Sequence, residues 1–181
     1  MRVAQASVVE KFSRRNIHRS LFLLILISPL LLIPGLKTLG VILLLFFVNL
    51  VFSFATHPLR KLSVGVELTT VLTVLCALAF GPWWGMISGL FFIIAEYAGT
   101  MRISILSVVT VPSVMLIGLI TPLFGDVSLP TLGLFVTVIY NLLTFVLCLL
   151  IRQRAFGMAV FAVTNIFWNN LLFSLAGNFL G

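Results

Sequence analysis

The sequence predicts an all-α fold, a polytopic transmembrane helical bundle of about seven (six to seven) hydrophobic segments, and three observations predict it. Charged residues make up only 8% of the chain and hydrophobic residues 61%, with a mean hydropathy of +1.28. A soluble domain carries about 25% charged residues, so a chain this poor in charge cannot cover a water-facing surface and must take lipid as its solvent. The apolar residues also run continuously instead of alternating, which favours helices over a barrel, the two architectures that leave no backbone group unsatisfied in lipid. Finally, the Lys and Arg residues sit at the ends of the apolar runs, where the positive-inside rule puts them.

Length bounds the rest. The 181 residues accommodate six or seven spans of about 20 residues. This leaves a basic tail over residues 1–20 and a single transmembrane domain over 21–181. The tail, with Lys11, Arg14, Arg15 and Arg19 ahead of the first apolar run, has some look of a secretory or twin-arginine signal. No small-residue cleavage site follows it and further apolar runs do, so it reads as a cytoplasmic anchor.

The apolar segments fall at Leu21–Ile33, Leu39–Phe54, Val64–Phe80, Trp83–Ala98, Ile103–Phe124, Leu132–Ile151 and Met158–Phe179. The first is short, contains Pro29 and is closed by Pro34-Gly35, as in one arm of a tight hairpin. The third and fourth are separated only by Gly81-Pro82, a pair that marks a sharp turn. Trp83 and Trp84 beside it suit the membrane-interface belt. With a cytoplasmic N-terminus, seven crossings put Arg60-Lys61, Arg102 and Arg152/Arg154 on the side of the tail. Of the eleven Lys and Arg residues, all but Lys37 then lie inside. The expected localisation is therefore a cell membrane, multi-pass, with the C-terminus outside.

Composition and motifs exclude several functions. The net charge of +7 is spread over segment ends without a basic-aromatic platform, so nucleic acid is not an expected partner. Cys76 and Cys148 lie inside apolar runs with no ligand-spaced neighbour and read as small buried residues. His18 and His57 fall outside the spans. No nucleotide-binding loop, HExxH or GxSxG is present, so neither enzymatic activity, nor a metal, nor a cofactor is expected.

The residues left to carry function are intramembrane polar groups. Glu67, at the start of the third segment, is a helix-start acid or ion-pair partner of Arg60 and Lys61 on one reading. On the other it is a functional carboxylate held in lipid. Glu96, near the end of the fourth segment, is an interfacial partner for Arg102 or a ligand-binding group. Asn165, Trp168 and Asn169 stand at i, i+3 and i+4 and share a helical face. That face either hydrogen-bonds a neighbouring helix or forms an aromatic-and-amide wall of a ligand pocket, with Asn49, Tyr140 and Asn141 as further members. Gly81, Gly85 and Gly89 recur every four residues, the spacing of a flat face for close helix packing.

The run Glu67-Leu68-Thr69-Thr70 through Ala79-Phe80-Gly81-Pro82-Trp83-Trp84-Gly85-Met86-Ile87-Ser88-Gly89 resembles the substrate-binding S components of energy-coupling-factor vitamin transporters. Many of those carry an acidic residue, an apolar helix and then a phenylalanine-glycine-proline turn followed by spaced glycines. The resemblance covers about an eighth of the chain. It implies a protein that binds a vitamin, a precursor or a metal ion and docks on a shared energising module. It also implies six spans with both ends cytoplasmic, where the charge count gives seven, and an alanine-rich docking motif on the first helix, which this sequence lacks. Gly85 to Gly118 also looks a little like the rod-shape-determining membrane proteins of cell-wall assembly. The leading expectation is thus a membrane transport component. Its Glu67, Glu96, Asn165, Trp168 and Asn169 would meet at one water-accessible cavity, closed by a loop near Gly81 or Lys37. The alternative is a non-catalytic scaffold or subunit of a larger membrane complex.

Overall fold

The computed structural model of the chain describes residues 36–60, 64–100, 107–150 and 155–180. Six α-helices occur there: α1 (Lys37–Arg60), α2 (Thr69–Phe80), α3 (Pro82–Thr100), α4 (Ser107–Ile120), α5 (Leu129–Leu150) and α6 (Ala155–Leu180), with a 3-10 turn, Thr121–Phe124, continuing α4. Among the described residues there is no strand. The segment expected at Leu21–Ile33 and the basic tail lie outside the described residues.

Among the described residues, four stretches are long and apolar enough to cross a membrane: Lys37–Leu59, Ser107–Phe124, Leu129–Leu150 and Phe156–Phe179. The chain is by this measure a multi-pass membrane protein. Two of the expected segments depart from that description. The fourth, α3, spans Pro82–Thr100 but is not among those four; its Pro82, both tryptophans and Glu96 dilute its apolar residues. The third, expected to be continuous from Val64 to Phe80, becomes a helix of 12 residues that begins only at Thr69. At about 1.5 Å per residue α2 is about 18 Å long, well short of the ~30 Å hydrocarbon core.

Despite its length, α2 is the hub. It touches all five other helices, whereas α6 touches only α5 and α2. One apolar cluster joins Val71 and Val74 of α2 to Ile93, Val114, Ile117, Leu132, Val136, Tyr140 and Phe173. A second joins Leu72 and Cys76 to Ile42 and Phe92. Cys76 and Cys148 are both buried and unbridged. The two helices at the margin keep broad apolar faces outward; Phe156 and Phe179 of α6 are 83% and 87% exposed, as lipid-facing side chains are.

The C-terminal half of α2 is defined by glycine. A Cβ added at Gly85 would come within 2.5 Å of both the Ala77 side chain and the Gly118 carbonyl, and one added at Gly118 would strike the Gly85 backbone. α3 and α4 thus cross backbone to backbone with α2 against the crossing. Gly89 is looser, its nearest neighbour being Val114 Cγ1 at 3.0 Å. Gly81 does not belong to this face: nothing lies within 4 Å of a Cβ placed there. Its φ of 91°, a backbone region that disfavours any Cβ, and its N–H bond to the Ala77 carbonyl at 2.9 Å make it the turn that ends α2. Pro82 then opens α3, the first-turn position that proline favours.

Candidate functional site

The polar residues of the bundle gather at the other end of α2. Residues 64–67 are not helical, yet Gly65, Val66 and Glu67 are buried. Irregular backbone at membrane depth is tolerated only where protein satisfies it, and here α6 does so. The Gly65 N–H donates to Thr164 Oγ1 at 2.8 Å, and Asn165 Nδ2 donates to the Gly65 carbonyl at 3.2 Å. The approach is close enough that a Cβ at Gly65 would collide with the Phe161 carbonyl and with Asn165. Gly65 is therefore what lets the chain pass against α6 and enter α2 from the side.

Glu67 follows directly. It does not occupy the first turn of α2, which begins at Thr69 and contains no acid; it precedes the helix and is 1% exposed. The Thr70 hydroxyl donates to its Oε1 at 3.1 Å. Glu96 is likewise buried. It lies inside α3 and is 3% exposed, because the face of α3 that carries it turns towards α2. The Thr69 hydroxyl donates to Glu96 Oε2 and accepts from Asn49 Nδ2 at 3.1 Å. The same amide nitrogen also donates to the Phe92 carbonyl at 2.7 Å. This relay runs from α1 through α2 to α3. Both carboxylates lie within electrostatic reach of Tyr97, whose hydroxyl is hydrogen-bonded to that of Thr110 on α4. Arg102 and Lys61, the ion-pair partners expected from sequence, lie outside the described residues.

Amides form the opposite half. Asn165 Oδ1 accepts from Asn141 Nδ2 of α5 at 2.7 Å and from Asn169 Nδ2 at 3.1 Å. Asn165 and Asn169 are both fully buried, and with Phe173 they make the inward stripe of α6. Trp168 is half-buried at the edge of that stripe; its indole N–H is buried and has no hydrogen-bond partner among the described residues. Glu67, Glu96, Asn165 and Asn169 thus fall in one polar layer, joined through Thr69, Thr70 and Gly65, with Trp168 beside it. Asn49 and Asn141 complete it.

Two expectations about this site change. Glu67, Glu96, Asn165 and Asn169 are each no more than 3% exposed instead of open to water. The turn at Gly81 and the start of α1 at Lys37 cannot close over it. Each stands twelve residues from the layer along its helix, about 18 Å, at the opposite end of α2. Sequence reasoning also passed over Gly65, Thr69 and Thr70, although the threonines sit beside Glu67 in the same run. Among the described residues no group of three His, Cys, Asp or Glu side chains is placed to hold a metal ion.

Chemically, the layer offers carboxylate oxygens on one side and neutral amides on the other, with an aromatic ring at the margin. That set can orient a small polar molecule. No protein-family model, curated protein or solved structure matches the chain.

Proposed function

We propose that the protein is a solute-binding membrane component of the energy-coupling-factor type. It would take up a small vitamin-like molecule at the polar layer and pass it across the bilayer with an energising partner module, without changing it chemically. One observation carries this reading: two buried carboxylates and four buried asparagines converge at the start of a helix too short to cross alone. Ionisable groups inside a membrane are costly and mark solute or ion pathways. Interrupted helices with polar ends near mid-membrane are a recurrent way of building such sites. The Glu67–Gly89 resemblance points the same way. A purely structural subunit has no need of carboxylates at this depth, although the tight α3–α4 crossing would suit one.

The finer topology belongs to the same proposal. The non-helical residues 64–68 bridge the roughly 12 Å that α2 lacks, α3 supplies another crossing, and Leu21–Ile33 the first of seven. The N-terminus is then cytoplasmic and the C-terminus outside the cell membrane. Cysteine accessibility in intact cells should report Arg60→Cys and Arg152→Cys on the same, cytoplasmic side. Finding both of them outside would restore the six-span arrangement that the resemblance implies.

Function itself is tested by purification in mild detergent and mass spectrometry of what co-purifies. The expected result is a stoichiometric small molecule and an ATPase module. Glu67→Gln and Trp168→Ala should each weaken uptake of that molecule by about tenfold or more, equivalent to losing one buried charged hydrogen bond. If the purified protein is empty and both variants leave uptake of a vitamin panel unchanged, the transport reading fails.

A further inference from the structure

Serine and threonine within helices can satisfy their hydroxyls by donating to the carbonyl four residues back. Thr56, Thr73, Thr100, Ser113, Thr121 and Thr164 all do so here. Two threonines of α5 do not. The Thr137 and Thr144 hydroxyls have no hydrogen-bond partner among the described residues, although these residues are 0% and 3% exposed.

Their place is fixed by the pairing of α5 with α6. Gly133 sits against the Phe173 ring, and Asn141 bonds Asn165. The two contacts are eight residues apart on each helix, so the helices run antiparallel and in register. Midway between them stand Thr137 on α5 and Asn169 on α6. Asn169 turns its amide nitrogen to Asn165, which directs its Oδ1 away from Asn165, and that oxygen also lacks a partner among the described residues. Two facing residues therefore each hold an unused polar atom in the dry centre of a membrane bundle, where such atoms are costly unless something satisfies them.

We propose that this seam between α5 and α6 binds the uncharged, amide-like part of the solute. An N–H of that group would donate to Asn169 Oδ1, and its carbonyl would accept from the Thr137 hydroxyl. The proposal rests on the solute-binding reading and names the chemistry of the group that the α5–α6 wall takes. The side chains of the seam (Thr137, Asn141, Thr144, Asn165 and Asn169) are all neutral, so a carboxylate placed there would be desolvated without a counter-charge. An amide, lactam or urea offers the donor and acceptor that the two facing atoms require.

The test uses the full chain in mild detergent carrying Trp83→Phe and Trp84→Phe. Trp168, adjacent to Asn169, is then the only tryptophan. Benzamide and its charged isostere benzoate are titrated against its fluorescence. Benzamide should give a saturable change, and benzoate one at least about tenfold weaker. Thr137→Val should weaken benzamide binding about tenfold, and Thr137→Ser should retain it. Without benzamide, the thermal transition of Thr137→Val should stay or rise, because valine keeps the shape and removes an unpaired buried hydroxyl. No saturable response, equal binding of benzoate, or unchanged binding by Thr137→Val overturns the proposal. So does a lowered transition in Thr137→Val, which would make the hydroxyl structural. Because binding is read on the isolated protein, these outcomes do not depend on whether uptake is observed.

Discussion

The two ends of α2 are built on opposite principles. At its C-terminal end Ala77 meets Gly85, and helices α3 and α4 cross at backbone contact between Gly85 and Gly118. At its N-terminal end helices α1, α3 and α6 reach it through Asn49, Glu96 and Asn165. One end derives its specificity from the absence of side chains, the other from side chains that cost free energy to bury. In lipid no hydrophobic force separates helix–helix from helix–lipid contact, so association relies on close packing and polar bonds. α2 uses one at each end. The glycine end gives rigid support with nothing polar to offer a ligand. At the polar end the atoms proposed to bind a solute are the ones that also hold the helices together.

The largest expected effect lies at the glycine end. Gly85→Leu forces a side chain into the Gly118 carbonyl, a backbone atom that cannot rotate away. Overpacking of this kind costs about 1–3 kcal/mol and occasionally more, and this site belongs at the upper end. The thermal transition in detergent should fall by many degrees, with poor recovery of monodisperse protein. An unchanged transition would mean that α3 and α4 do not cross at these residues, and the contrast between the two ends would vanish.

Next is the polar end. Asn165→Leu removes the donor to the Gly65 carbonyl and the acceptor shared by Asn141 and Asn169. Leaving buried groups unpaired costs about 1–3 kcal/mol. Asn165→Asp should cost less on the α5 side, because it keeps the acceptor and loses only the donor. Thermal unfolding of the two variants side by side checks this. If both are as stable as the native chain, the segment 64–67 is held by something other than α6.

How much of this was legible beforehand follows from the same contrast. The apolar runs locate each described helix, and Gly81-Pro82 marks the break between α2 and α3, because those signals are local. The start of α2 at Thr69 was not legible: Val64-Gly65-Val66 reads as more of the same apolar run, and what stops it from being helix is a pair of bonds to residues about a hundred positions away. The depth of Glu96 was hidden for a related reason. A carboxylate near the end of an apolar run and next to an arginine looks interfacial, and only the packing of α3 on α2 buries it. The glycine spacing on α3 was visible, but its partner Gly118 was not, since one sequence cannot say which helices cross. The polar members of the site could be named as types, while their grouping required the fold.

The smallest effect separates two glycines of one repeat. Gly81 and Gly85 are four residues apart and look equivalent in sequence, yet they serve different purposes. Gly85 is needed for space. Gly81 has open space where a Cβ would stand and is needed for its φ of 91° and ψ of 175°, a region that is essentially glycine's own and costs other residues about 1–3 kcal/mol. Gly81→Ala should therefore lower the thermal transition only slightly. Gly81→Asn should lower it by about as much, because with ψ at 175° the residue lies outside the left-handed helical region that asparagine tolerates. At Gly85 the two should differ, because the larger asparagine side chain makes the collision with Gly118 worse than alanine does. Measuring Ala and Asn at both positions gives similar losses at Gly81 and unequal ones at Gly85 if space and conformation are separate requirements. A larger loss for asparagine than for alanine at both positions would mean that the turn and the crossing form one packed unit, and that the rigid end of α2 extends through Gly81.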